Sequence, residues 1–491
     1  MPEIRYLCLS DLHLGEEDGL LTDYVGEKKA PKPTEVLKKL SRCLRFTIED
    51  CNTAKPGKPA VKPILVLNGD TLEFALSSMN QAVMAFEVFL KEIMPPGREP
   101  LFGKILFIPG NHDHHVWETA RETQYVEYFS SPKAWPADKF LKRPWHTTNV
   151  FLDVEGRDSD GDKGVPAYML QSVLRRLDHL KGIEIRTAYP NLGIVAPEKN
   201  KCVVFTHGHY IESLYHLMSK LKTQIIPGRK EPEEIWDIEE ENFSWIDFFW
   251  STMGSAGQVG EGLERIYEAF QKHEEAAVLL ANFLKSMLGL DLGYIKQQAL
   301  EYVMSQIVTS IIQRERGCDD AILGPEAVTG LDAFMDALLR QIDNEIENRP
   351  TLGLTKRPAL TLVLGHTHKP FSWSRNSPER PSAMHTKQPM YNTGGWIVET
   401  VDPAPKHGAS VMLVDENMST CGIRVYNESE DGVPKIIHAE TADDPSPDSQ
   451  SFDRAVRESI VKRLNEWESL GLELTGEVDN RREALRGRAS K

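Results

Sequence analysis

Ile4-Arg5-Tyr6-Leu7-Cys8-Leu9-Ser10-Asp11-Leu12-His13 sets the pattern of this chain: a short apolar run, and at its end a carboxylate and an imidazole. The pattern recurs four times. Ile64 to Leu67 leads into Gly69-Asp70, and Ile105 to Ile108 into Gly110-Asn111-His112-Asp113. Cys202 to Phe205 leads into His207-Gly208-His209, and Leu360 to Leu364 into Gly365-His366-Thr367-His368. Runs this short and this continuously apolar are those of strands buried on both faces, the central strands of a sheet. One His at a strand end is most often a solvated turn residue, and Asp70 before Thr71, taken alone, reads as a turn or a helix N-terminus. Five such endings in one chain point to a metal site.

Helical spacing fills the gaps between the strands. Thr34 to Asp50 carries Leu37, Leu40, Leu44 and Ile48 on one face, and Met79 to Ile93 is a second such segment. Strands alternating with helices argue for an α/β layered core over residues 1–210. From 211 to 350 the character changes to helical stripes, Leu263 to Phe270 continuing as Leu280 to Leu288, Leu300 to Ile312, and Leu331 to Ile342, which predict an inserted α-helical subdomain. Its leading edge, Phe243 to Trp250, is rich in aromatics, and the insert would serve as a lid, an apolar groove or a homodimer interface. Residues 351–426 resume the core, with strand-like Ser410 to Val414 and Gly422 to Tyr426. Beyond 427, the Asp, Glu, Ser and Pro content predicts an acidic linker, then a short amphipathic helix from Phe452 to Leu470 and a charged tail, largely disordered.

The bulk numbers narrow the class. Lys and Arg total 57 against 73 Asp and Glu, a formal charge of −16, which argues against nucleic acid or an anionic membrane as partner. Six scattered cysteines without a CxxC pair indicate neither a disulfide framework nor a thiolate zinc site, and fit a cytoplasmic protein. Met1 to Ser10 lacks the pattern of a signal peptide, and no apolar run is long enough to span a membrane. Asp158 to Asp162 begins like a calcium loop, but Lys163 and Met169 replace its required Gly and Glu, so it is an acidic loop.

Asp11, His13, Asp70, Asn111, His207, His366 and His368 make a coherent ligand set for two divalent ions. Imidazole and carboxylate donors without thiolate suit Mn, Fe or Zn better than Ca or Mg. Two dications against two carboxylates leave roughly +2, so the site wants an anion. Two ions about 3.5 to 4 Å apart activate a bridging water and hold phosphoryl oxygens for in-line attack, so phosphoester hydrolysis is the reaction class that follows.

The motif order Asp-x-His, Gly-Asp-x-x-Glu, Gly-Asn-His-Asp, His-Gly-His and Gly-His-Thr-His resembles that of the calcineurin-like metallophosphoesterases. The resemblance implies a four-layer αββα sandwich with two mixed β-sheets. It implies one ion, taken as Mn2+ with Fe or Zn as alternatives, on Asp11, His13, Asp70 and His368. The other would lie on Asp70, Asn111, His207 and His366, with Asp70 bridging. His112 would be the general acid for the leaving oxygen and Asp113 would orient it. His209 and Asn392 are candidates for substrate or supporting contacts, and His114 and His115 read as surface or hydrogen-bonding residues.

Gly69-Asp70-Thr71-Leu72-Glu73-Phe74 lacks the Asp-Arg-Gly continuation of Ser/Thr protein phosphatases, which disfavours a protein substrate. With Ser10 to Gly15, it looks most like the bacterial UDP-diacylglucosamine pyrophosphatases, which are about half this length and carry a smaller insert. The reading is a dimetal phosphohydrolase cleaving a phosphodiester or pyrophosphate bond of a small or amphiphilic molecule. A nuclease or nucleotide phosphodiesterase is the alternative, and a binding scaffold without activity is disfavoured because all seven positions are filled.

Overall fold

Ile4–Leu9 forms β1, and its alternation decides what lies on each side of the first sheet. Tyr6 and Cys8 face one way, into a core shared with the second sheet, while Leu7 and Leu9 face the helices. A bulge between Ile4 and Tyr6 turns Ile4 to the helical side as well. The structure is a computed structural model that describes residues 2–25, 30–53, 60–130, 150–157, 165–211, 321–428 and 437–489, with a few positions between 230 and 246.

The first sheet has eight strands: β1, β4 (Ile64–Asn68), β5 (Lys104–Ile108), β7 (Val165–Pro166), β8 (Glu184–Thr187), β14 (Gly408–Asp415), β15 (Thr420–Asn427) and β16 (His438–Glu440). Their order is β16-β15-β14-β1-β4-β5-β8-β7. The second has six: β6 (Val150–Asp153), β9 (Asn191–Ala196), β10 (Lys201–Thr206), β11 (Ala359–Leu364), β12 (Phe371–Trp373) and β13 (Met390–Asn392), in the order β12-β13-β11-β10-β9-β6. A hairpin, β2 (Thr22–Val25) with β3 (Ala30–Pro33), lies apart. Both large sheets are mixed, with β1, β4 and β5 parallel in the first and β10 and β11 parallel in the second.

Val66, Leu106 and Ile108 from the first sheet share a core with Ile194, Val203, Phe205 and Val363 from the second. The outer face of the first sheet is covered by α1 (Glu35–Cys51), α2 (Met79–Ile93) and α4 (Tyr168–Arg176), with α3 (His115–Phe129) alongside α4. Thr34 caps α1 by accepting from Leu37 N at 3.2 Å, and Leu37, Leu40, Leu44 and Ile48 are all buried, as their spacing predicts. On the second sheet, Leu331, Phe334, Met335, Leu338 and Ile342 of α5 (Pro325–Asn348) pack on Val204, Leu362 and Leu364. The result is the expected αββα sandwich.

Helix α5 falls inside the segment read as an insertion, yet it is the fourth layer of the sandwich. The other two helical stripes lie outside the described residues, as do the Asp158 to Asp162 loop and the Phe243 to Trp250 edge apart from the buried Ile246.

The C-terminal expectation of a largely disordered tail needs correction. Strand β16 pairs with β15, Ser446 and Ser449 form a capping box, and α6 (Pro447–Lys462) and α7 (Leu464–Ala489) follow. Phe452, Val456, Ile460, Trp467, Leu470, Leu474 and Val478 are buried in the same core as the stripe of α1. Each such side chain contributes about 1.5–3 kcal/mol on burial. Composition misled because the charged faces of these helices are also used: Lys462 and Arg463 meet Asp50, Lys39 meets Glu473, and Arg482 meets a buried Glu428 at 2.6 Å. Among the described residues no helix is long and apolar enough to cross a membrane.

Candidate metal centre

All five motif loops leave the C-terminal ends of strands that run parallel within their sheets: β1, β4 and β5 in the first, β10 and β11 in the second. Ligand sites in α/β sheets sit at such carboxyl ends. Backbone bonds between loops fix the register. Asp11 N donates to Gly69 O at 2.9 Å, His13 N to Asp70 O at 2.9 Å, and Gly365 N to His207 O at 2.9 Å.

Conformational cost concentrates here. Asp11, His13, Asp70, His366 and His368 all adopt positive φ, between 42° and 69°. Such conformations cost on the order of 1–3 kcal/mol each and persist only where surrounding contacts over-determine them. The glycine before a ligand has a packing reason too. A Cβ on Gly69 would enter the His207 ring, and one on Gly365 would strike the Asp11 carboxylate.

Three donor clusters result, each with ligand atoms within 4.8 Å of one another: two made of expected ligands, Asp11 with His13 and His368, and Asp70 with His207 and His366, and a third of His13 with Glu73 and His112. In the first, His368 Nε2 lies 3.2 Å from both Asp11 Oδ1 and His13 Nε2. In the second, His207 Nε2 lies 3.0 Å from Asp70 Oδ2 and 3.1 Å from Asn111 Oδ1. The His207 and His366 rings meet edge to face at 5.1 Å, and His366 N donates to Asp11 Oδ1 at 2.8 Å, joining the halves.

These residues fit divalent ions. Among the described residues Asp11 Oδ2 is buried without a hydrogen-bond partner, and two imidazole nitrogens point at each other across 3.2 Å. A cation satisfies such convergent lone pairs. The nitrogen and oxygen donors without thiolate match borderline metals.

Electrostatics tell the same story. Burial opposes protonation of His368, but Glu399 and Asp11 outweigh it and hold the imidazole well above its usual value. Burial likewise opposes protonation of His207, and Asp70 lifts it to about 9. Burial opposes protonation of the partly buried His112 too, and Glu73 and Asp70 hold it up at about 10. The Asp70 carboxyl, which burial would push up, is kept well below its usual range by His207 and His112. Buried carboxylates thus draw positive charge from any source, and metal ions compete for it with protons.

The structure brings all seven expected ligands to these loops. His112 Nδ1 faces Glu73 Oε2 at 2.8 Å. The orienting role expected of Asp113 needs correction. Its Oδ1 accepts from Gly110 N at 2.7 Å and its Oδ2 from Thr71 N at 2.8 Å, so it ties the Asp70 and Asn111 loops together, and Glu73 meets the His112 ring. Burial, then the Asp70 charge, raises the Asp113 carboxyl to about 7.

His209 Nε2 and the Tyr189 hydroxyl hydrogen-bond at 2.8 Å behind the second cluster. Asn392 donates to Gly365 O at 2.6 Å and to Thr367 Oγ1 at 3.1 Å, so it supports the His366 to His368 loop. His114 is buried edge-on to Tyr189, whereas His115 is exposed and pairs with Glu118 at 2.7 Å.

Two carboxylates escaped the sequence reading. Glu73 sits within the quoted Gly-Asp-x-x-Glu motif, which was a signal for it. Glu399, 2.9 Å from His368 Nδ1, follows no motif and reaches the site only through the packing of residues 394–408.

No curated protein matches the chain. No solved structure matches it either. Residues 4–221 match the family model described as calcineurin-like phosphoesterase. That span carries four of the five loops, and β11 brings the fifth, Gly365 to His368, to the same place. This segment is similar to the calcineurin-like phosphoesterases, a family of hydrolases acting on phosphoester bonds.

Proposed function

We propose that the protein hydrolyses a phosphodiester or pyrophosphate bond of a small or amphiphilic molecule, and that Mn2+ serves it. The observation that supports this reading is the pairing of two nitrogen and oxygen donor clusters, built from the expected ligands, with a histidine, His112, held at Nδ1 by a buried carboxylate. When bound, two divalent ions supply positive charge for phosphoryl oxygens and make water more acidic.

Asp11, His13, Asp70 and His368 would hold one ion and Asp70, Asn111, His207 and His366 the other, Asp70 being shared. His112 would deliver a proton from Nε2 to the leaving oxygen while Glu73 holds its Nδ1. Asp113 keeps the Asp70 and Asn111 loops in register. The motif resemblance to UDP-diacylglucosamine pyrophosphatases supports an amphiphilic substrate, and the charge of −16 weighs against nucleic acid. Five described cysteines are buried and free, in keeping with a reducing, cytoplasmic setting.

Wild-type protein with Mn2+ should release p-nitrophenolate from bis(p-nitrophenyl) phosphate, and a chelator should stop it. His112→Ala should keep the metal content and lower kcat by about 10²–10⁴-fold, the span of general acid catalysis. Loss of metal from His112→Ala would refute the role assigned to it. Cleavage of single- or double-stranded nucleic acid in preference to small diesters would replace the proposed substrate class.

A further inference from the structure

Residues 394–408 wrap the Asp11 half of the centre and meet it by main chain as well as through Glu399. Trp396 N donates to Asp11 O at 2.9 Å and Gly408 N to His368 O at 3.1 Å, so the segment touches two expected ligands. Val398 N donates to Asp18 O at 3.2 Å, on the loop that follows His13. Glu399 then stands 2.9 Å from His368 Nδ1. Residues 398–407 form neither helix nor strand, so the place of Glu399 depends on what holds this segment from outside.

The hold comes from the far end of α7. Arg482 Nη2 lies 2.6 Å from Glu428 Oε2, and the same oxygen accepts from Ala404 N at 2.9 Å. Glu428 N donates to His407 O at 2.8 Å. Four residues on, Arg486 Nη2 donates to Val401 O at 2.9 Å, and Arg488 pairs with Asp18. Both Arg482 and Glu428 are buried. A buried ion pair is weak evidence for stability, which turns attention to the geometry it fixes.

We propose that the C-terminal turns of α7 are a positioning element of the metal centre, in which Arg482, Arg486 and Arg488 fix residues 394–408 so that Glu399 stays behind His368. Carboxylates behind metal-bound imidazoles fix ring orientation and raise ligand basicity. Here the carboxylate sits on an irregular segment, and a helix from the other end of the chain supplies the rigidity. The family match ends at residue 221, so neither Glu399 nor the three arginines lie within it. The assignment rests on the metal centre of the proposed function, and the test separates the two.

Equilibrium dialysis of the full chain against Mn2+ should resolve two dissociation constants, the tighter belonging to the Asp11 half. Arg482→Met should weaken the tighter by about tenfold, the lower end of what losing outer support costs a metal-bound histidine, and leave the other unchanged. Arg482→Lys, which keeps a cation facing Glu428, should restore most of that affinity. Glu399→Gln should weaken the same equivalent by about 10–100-fold, and adding Arg482→Met to it should change little more, because both act through one carboxylate. Glu473→Ala, which removes the ion pair of α7 with Lys39 on α1, should match wild type in both constants.

Equal weakening of both equivalents in Arg482→Met, or of neither, overturns the proposal. So does full additivity with Glu399→Gln, or a loss as deep in Glu473→Ala. If Arg482→Met fails to fold, the double variant Arg486→Ala with Arg488→Ala should weaken the tighter equivalent alone, and wild-type binding there overturns the proposal. Wild-type protein that binds two Mn2+ and cleaves no diester would defeat the phosphoesterase reading, while the dialysis comparison would still decide the role of α7. Wild-type protein that binds no Mn2+ would overturn both.

Discussion

The two halves of the centre are built from the same residue types but differ in what backs their imidazoles. Around Asp11, His13 and His368, carboxylates back the imidazoles: Glu73 at His13 Nδ1 and Glu399 at His368 Nδ1. Around Asp70, His207 and His366, the support is neutral. His207 Nδ1 meets the backbone oxygen of Asn68 at 3.2 Å, and His209, Tyr189 and Trp117 stack behind it with His114 edge-on to Tyr189. Burial, then the neighbouring His207 charge, lowers His366 to about 3, while on the other side Glu399 and Asp11 overcome burial and raise His368. A histidine's place in a motif therefore does not decide its charge. The charges within reach of the ring and its burial do: His207, backed only by a backbone oxygen, is still held up to about 9 by Asp70.

Asp70 is the residue both halves would share in the proposed centre, so Asp70→Ala should have the largest effect: loss of both metals and of detectable diester hydrolysis, measured by metal analysis on the same preparation. Retention of one full equivalent of Mn2+ would mean that the halves are independent. Graded chelation should sharpen the contrast. The Asp11 half carries more negative charge, so its ion should resist removal, with the two dissociation constants separated about tenfold or more. Loss of both equivalents in one step would show that the carboxylate backing makes no difference to affinity. The smallest effect belongs to the aromatic wall. Tyr189→Phe removes the hydroxyl on His209 and should lower stability by about 1–2 kcal/mol, read from urea unfolding, with little change in kcat. A drop in kcat as deep as that of His112→Ala would place His209 in the chemistry.

The regions legible in the sequence were those where local demands coincide with global ones. The β1, β4, β5, β10 and β11 runs were readable because strands buried on both faces must be apolar at every position. The ligands were readable because loops at strand ends need Gly, Asp, Asn and His together. A C-terminal amphipathic helix was foreseen, but the order and docking of the segment as a whole were misjudged, for a physical reason as well. Val456, Ile460, Trp467 and Leu470 are sparse within their own segment, and they become core only when laid beside α1, over 400 residues earlier in the chain. Composition cannot weigh a contact of that range. Short strands such as β6, β8 and β12, with three or four residues each, carry too little periodicity to be seen beforehand.

The sequence by itself determined the α/β class, the seven candidate ligands and the reaction class, because each depends on residue type and short-range spacing. Only the tertiary structure decided which carboxylate stands behind which imidazole. Glu73 gripping both His13 and His112, Glu399 arriving from beyond Trp396, and Asp113 turned to backbone N–H groups all follow from loops brought together by two packed sheets. Hydrogen bonds reach about 3 Å, and residue spacing along a chain carries no measure of distance once the chain has folded back on itself.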